Sequence, residues 1–242
     1  MSHGLHLVSN NVKGIGARQK RLKIFKYLSD LAFNNGIIFM QETHSSATES
    51  RQWERDFGAD MYFSHGTTGA CGVAIGILIN DKHSLLKKVH DKSGRFLILE
   101  IEIKNKIFIL INLYNANFQA DQVKTLSELD DALNNFDLCP SKSIIFGGDF
   151  NIIFNKNLDA KGGNPTLKLN SIAKLIKLKE SMDLIDIWRI RNPLKKGIPS
   201  DSATILVSYK EDLIIFLSLT HFSNPLLNPK LQTRFLQTTL LL

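Results

Sequence analysis

Cysteine is scarce in this chain: there are two among 242 residues, Cys71 and Cys139. They lie far apart and share no CxxC spacing, which argues against a disulfide framework or a zinc site and fits a reducing compartment. Long apolar runs are missing too. The longest, such as IFILI at 107–111, are about a quarter of a membrane span. The N-terminal MSHGLHLVSN has neither the positive start nor the apolar stretch of a signal peptide. The expectation is an intracellular protein of the nucleus or cytoplasm, not secreted and with no membrane partner. No internal repeat or linker-like stretch divides the chain.

Hydrophobic residues make up 43% of the sequence and charged residues 22%, enough for a real core and inconsistent with wholesale disorder. The net charge is +7 with a pI near 9.3. That balance suits a polyanionic partner such as nucleic acid, although charge alone fits a merely soluble basic protein equally well.

Short apolar runs alternate with amphipathic stretches. LHLVSNN (5–11), GIIFMQET (36–43), GVAIGILI (72–79), FLILEIEI (96–103), KIFILINLY (106–114) and the run from 144 to 150 read as strands. KNK (104–106) reads as a hairpin turn. Residues 21–32, 121–136 and 170–183 have helical periodicity. Ile24, Phe25, Leu28, Leu31 and Ala32 share a face in the first, with Arg21, Lys23 and Lys26 mostly elsewhere. Ile172, Leu175, Ile176 and Met182 point inward in the third, Lys174 and Lys177 outward. The mixture predicts an α/β class, two sheets packed face to face with helices outside.

One strand carries an anomaly. IIFGGDFNIIF (144–154) sets Asp149 and Asn151 inside an apolar run. Burying them unpaired would cost about 1–3 kcal/mol each, so a partner or a site must use them. Gly147 and Gly148 just before them permit close backbone approach. Polar groups end other strands as well: Asn11, then Gln41 and Glu42, then Asn112 and Tyr114. Open sheets bind ligands where such tips converge. A carboxylate, amide and phenol cluster is what phosphate-ester chemistry on Mg²⁺ needs, because that ion takes one or two carboxylates and keeps its other positions for water and phosphate. Taken singly, Glu42 could be a solvated strand end and Tyr114 a core-edge aromatic.

In order and spacing, SNNVKGI (9–15), MQETH (40–44), NLYNAN (112–117) and GGDFN (147–151) resemble the endonuclease/exonuclease/phosphatase superfamily. QETHSS (41–46), YFSHGTTGACGVAIGI (62–77) and LIDIWRIRNP (184–193) look most like the apurinic-type endonuclease domain of LINE-type non-LTR retrotransposons. The resemblance implies a four-layer α/β sandwich of two packed mixed sheets flanked by helices. It implies Mg²⁺-dependent phosphodiester hydrolysis, with Mn²⁺ as the alternative ion, and DNA nicking by a monomer. A complete element would add a reverse transcriptase, here left to other polypeptides. By resemblance Glu42 is the metal carboxylate and Asn11 supports the metal or phosphate. Tyr114 hydrogen-bonds the scissile phosphate. Asp149 orients or deprotonates the attacking water, and Asn151 holds that geometry. Asn112 and His44 are candidate substrate-binding residues.

The match departs at the C-terminal end. YKEDLIIFLS (209–218) is the nearest counterpart of an Arg-Ile-Asp strand, making Asp212 a degraded metal-ligand candidate. The final Ser-Asp-His motif is absent. Ser-Asp occurs at 29–30 and 200–201, followed by Leu31 and Ser202, and the only histidine after position 90 is His221. From Leu213 to Leu242 there are ten leucines and no acidic residue, the look of a truncated or frame-altered end. The division expected is a catalytic domain over 1–212 and a divergent tail over 213–242, with the last core strand missing or replaced by that tail. Losing such a histidine typically lowers rate by about 10²–10⁴-fold. The expectation is therefore an impaired endonuclease. The alternatives are a catalytically dead nucleic-acid-binding remnant and a phosphatase of the same superfamily.

Overall fold

The apolar runs assemble into two six-stranded sheets, in a computed structural model that describes residues 5–67, 69–159, 166–186, 189–190, 194, 204–208, 214–218 and 236–241. The first sheet holds β1 (Leu5–Asn11), β2 (Gly36–Gln41), β3 (Asp60–Ser64), β4 (Val73–Leu78), β11 (Ile214–Ser218) and β12 (Leu236–Leu241). Its strand order is β11-β12-β1-β2-β4-β3. The second holds β5 (His83–His90), β6 (Phe96–Ile103), β7 (Lys106–Tyr114), β8 (Ser143–Asp149), β9 (Leu184–Asp186) and β10 (Thr204–Ser208), in the order β5-β6-β7-β8-β10-β9. The helices are α1 (Arg18–Leu31), α2 (Ser50–Phe57), α3 (Gln119–Leu133), α4 (Lys156–Asp159) and α5 (Leu169–Ser181).

Three apolar clusters make this a four-layer sandwich. Leu7, Ile37, Phe39 and Ile75 of the first sheet meet Leu97, Leu99, Phe108, Leu110 and Ile145 of the second. The outer face of the first sheet packs on α1 and α2 through Val8, Ile38, Phe25, Leu28 and Trp53. The outer face of the second packs on α3 and α5 through Ile109, Ile111, Leu126, Leu129 and Leu175. The central strands are covered on both faces, so they read as continuous apolar runs. The α/β sandwich expected from the sequence is what forms.

Local details follow from residue chemistry. The β6–β7 hairpin turns on Lys104 and Asn105, both at positive φ (50° and 61°), the two-residue turn that KNK predicts. Several elements are absent from the pattern reading, among them α2, β3 and β5. In α2, Trp53 and Phe57 are buried and Gly58 ends the helix in the left-handed conformation at φ 79°, a common glycine C-cap. Strand β5 is an exposed edge that carries Lys87 and Lys88, charges that discourage further strand pairing.

Two inward–outward assignments change. Arg21 is buried, not solvated, because it pairs with Asp56 of α2 at 2.7 Å. In α5, Ile176 faces outward, and Leu178 takes the inward position with Leu175 and Met182.

The C-terminal segment enters the first sheet. Strand β12 runs antiparallel to β1, pairing Leu5 with Leu240 and Ser9 with Leu236, and β11 pairs in turn with β12. The leucine-rich segment thus fills the neighbouring position of β1. In this register, Leu236 is the β12 residue nearest the level of Asn11. The preceding KLQTRF (230–235) contains no carboxylate and no imidazole. Strand β10, which the sequence pattern did not reveal, pairs antiparallel with β8, Thr204 opposite Gly148.

Candidate active site

In each sheet, two parallel neighbours end side by side. Asn11 of β1 lies opposite Gln41 of β2, and Tyr114 of β7 lies opposite Asp149 of β8. Face-to-face packing brings both pairs of strand ends to the same rim. The join is a single amide: Asn11 Nδ2 donates to Glu42 Oε1 at 2.8 Å and to Asp149 Oδ2 at 3.0 Å. One nitrogen therefore holds a carboxylate from each sheet.

Two glycines let Asp149 reach this point. A Cβ on Gly147 would sit 2.9 Å from the Phe39 ring of the other sheet, and one on Gly148 would sit 2.2 Å from the Leu113 carbonyl oxygen. Similar turns then follow Asn11 and Asp149. The Lys13 main-chain N–H donates to Asn11 Oδ1 at 3.1 Å, and that of Asn151 to Asp149 Oδ1 at 3.2 Å. Both are side-chain-capped turns two residues long. Their closing residues, Lys13 and Asn151, have φ 50°, while Glu42 and His44 have φ 53° and 55°. Left-handed backbone at residues other than glycine costs about 1 kcal/mol or more; here it collects around one site.

Two lysines that the sequence reading did not single out brace these turns. Lys20 Nζ donates to the carbonyls of Lys13 at 2.7 Å and Gly14 at 2.5 Å. Lys168 Nζ donates to those of Asn117 at 2.7 Å and Asn151 at 3.0 Å. Burial lowers the pKa of both, opposed by the charge of Glu42 at Lys20 and of Asp149 at Lys168. Nothing in periodicity distinguishes either from other surface lysines.

Tyr114 is 9% exposed. Burial first, then a hydrogen bond to Glu42 and its charge, push the phenol well above its usual range, so it remains a proton donor at neutral pH. Asn151 Nδ2 donates to the Asn115 carbonyl at 2.9 Å, and the Asn151 carbonyl receives Gln122 Nε2 at 2.8 Å. Asn11, Glu42, Tyr114, Asp149 and Asn151 thus gather at one rim.

The other candidates fall differently. Asn112 is fully buried between the sheets. Its Nδ2 donates to the carbonyls of Met40 (3.0 Å) and Ala74 (2.8 Å), and its Oδ1 accepts from Gln41 Nε2 (2.8 Å). It therefore clamps the sheets and offers no free face to a substrate. His44 is half-buried, its ring against Gly14, where a Cβ would lie 2.7 Å from Nδ1. Asp212 lies outside the described residues.

The donor set suits a hard cation. Asn11 turns Nδ2, not oxygen, to both carboxylates, so it positions Glu42 and Asp149 and is not itself an oxygen ligand in this arrangement. Among the described residues no three His, Cys, Asp or Glu side chains converge as a metal cage. Two carboxylates beside an amide and a phenol match Mg²⁺, which retains most of its water. Among the described residues no helix is long and apolar enough to cross a membrane.

The architecture is that of the endonuclease/exonuclease/phosphatase fold. The catalytic domain of APE2 from Xenopus laevis superimposes with a TM-score of 0.69 and 15% identity, covering 98% of this chain and 92% of that one. An AP endonuclease from Archaeoglobus fulgidus gives 0.68 and 17%, covering 97% and 98%. In sequence, the chain is 26% identical over 173 residues to the "Transposon TX1 uncharacterized 149 kDa protein" of Xenopus laevis. That match takes in 71% of this chain but 13% of the transposon protein. No family model matches the chain.

Proposed function

We propose that this chain is a Mg²⁺-dependent DNA endonuclease of the non-LTR retrotransposon type, slowed by the absence of its histidine motif. The observation that carries the reading is Asn11 Nδ2 holding Glu42 and Asp149, one from each sheet, beside the Tyr114 phenol. The basic charge and the likeness to a transposon protein favour DNA as the substrate.

The residues act as follows. Glu42 would hold Mg²⁺, which when bound would offset charge on the phosphoryl oxygens. Tyr114, kept protonated, donates to a phosphoryl oxygen in place of Glu42. Asp149 is fixed at Oδ2 by Asn11 and at Oδ1 by the Asn151 main chain. It accepts a proton from the attacking water and aims that water at phosphorus, in line with the leaving sugar oxygen. Lys20 and Lys168 lock the two turns and lend positive charge. With no Ser-Asp-His motif, the transition-state charge is less well stabilised, and rate falls by about 10²–10⁴-fold.

Nicking of supercoiled plasmid tests this. The expected result is slow relaxation in Mg²⁺ that disappears in Asp149→Ala. No cleavage with Mg²⁺ or Mn²⁺, together with duplex binding of steep salt dependence, would overturn it. It would support the second reading, a nucleic-acid-binding remnant, which the missing Ser-Asp-His motif favours. Release of inorganic phosphate from a soluble monoester would instead point to a phosphatase.

A further inference from the structure

A second anion site adjoins the first. Arg95 stacks its guanidinium on the Tyr114 ring, Cζ 5.0 Å from the centroid. It is half-buried, yet among the described residues its guanidinium has no carboxylate or carbonyl partner. Its main chain is gripped on both sides. Asp91 Oδ1 accepts the N–H groups of Arg95 at 2.8 Å and Phe96 at 3.0 Å, and the Arg95 carbonyl accepts the Tyr114 N–H at 2.7 Å. Arg95 opens onto a cleft of about 580 Å³, with Lys92 on its own loop and Lys124 on α3 across the gap. The cleft also carries acids. Asp91 is spent on Ser64 of β3 and on its own loop, Glu128 lies 4.0 Å from Lys124, and Asp121 sits on the α3 wall. The unpaired positive charge is therefore at the Arg95 end.

We propose that this cleft binds the backbone phosphate next to the scissile one, with Arg95 as its bidentate ligand and Lys124 as the opposing cation. A planar guanidinium held by an aromatic face presents a fork of N–H donors that fits a phosphodiester, and leaving that fork partly desolvated without an acceptor is unfavourable. The ligand class is a nucleic-acid strand that continues past Tyr114. The proposal rests on the nuclease reading, since it takes Tyr114 as the neighbour of the scissile phosphate.

Binding of the full chain to a fluorescent DNA duplex in EDTA, measured by anisotropy across a salt series, separates the possibilities. Arg95→Gln is expected to flatten the log-affinity slope against log salt by about one and to weaken binding about tenfold. Arg95→Lys keeps the slope and loses part of the affinity. Lys124→Glu, a change on an exposed helical position that does not depend on Arg95 variants folding, weakens binding in the same assay. Wild-type slope and affinity in both Arg95→Gln and Lys124→Glu, at unchanged thermal midpoints, would overturn the site while leaving the nuclease reading intact. A wild-type chain that shows no salt-dependent binding at all removes the nuclease reading itself, and this site with it.

Discussion

Gln41 and Asn112 join the two sheets from inside: Gln41 Nε2 donates to Asn112 Oδ1 at 2.8 Å, and neither side chain reaches solvent. Gln41 adjoins Glu42, and Asn112 is two residues from Tyr114 on the same strand. The clamp thus fixes the distance between the carboxylate of one sheet and the phenol of the other. Asn112→Ala would orphan the Met40 and Ala74 carbonyls as well as Gln41. It is expected to destabilise the protein by about 3 kcal/mol. Urea unfolding should show a lower midpoint with an unchanged slope; a loss under about 1 kcal/mol would refute the clamp.

Tyr114→Phe keeps the ring beneath Arg95 and removes only the proton donor. Nicking should fall by roughly ten- to a hundredfold in kcat, with the thermal midpoint almost unmoved. A variant as active as wild type would deny the phenol any part in the reaction.

Burial alone would push the Asp56 carboxyl up, but hydrogen bonds from Arg18, Arg21 and Gln52 outweigh it and hold the pKa at about 2. The unfolded value is near 3.9. The pair's contribution is therefore complete above about pH 4 and is lost as the pH falls toward 2. Asp56→Ala leaves the Arg21 guanidinium buried without its counter-charge and should cost about 3–5 kcal/mol. Arg18→Ala, at a side chain 64% exposed, should cost less than about 1 kcal/mol. Equal losses from the two would contradict the burial of Arg21.

Gly147→Ala forces a methyl group against Phe39. The expected loss is about 1–3 kcal/mol, with a further fall in nicking as Asp149 is displaced. Gly148→Ala meets backbone oxygen, which cannot move aside, and should be worse. Chemical denaturation of both, compared with a nicking assay, checks the order.

Much of the site could be read from the chain because each of its groups ends an apolar strand. Asn11, Glu42, Tyr114 and Asp149 stand out for that reason, and their meeting follows from parallel neighbours in two sheets. Asn112 has the same sequence signature and a different fate: as an inward-facing residue it meets the opposite sheet before it meets any cleft, which only three-dimensional packing reveals. Arg21 looks solvated on a helical wheel because its partner, Asp56, lies in α2, a helix too short for its periodicity to register. Strand β5 escaped notice since an exposed edge needs no apolar alternation. In α5, several neighbouring aliphatic positions fit either phase of the helix, and packing against α3 chose Leu178 over Ile176. Lys20 and Lys168 gave no local sign, because what they bind is main chain.

The pairing of β12 with β1 has a consequence for how the molecule is made. Asn11, the amide that unites the two carboxylates, sits on a strand whose outer neighbour lies more than two hundred residues later in the chain. During synthesis that flank stays open until the ribosome has released positions 236–241. Closing so distant a contact is entropically slow. Chains that stop before position 236 would therefore carry an exposed β1 edge prone to aggregate, and only chains that extend through β12 could assemble a settled reaction centre.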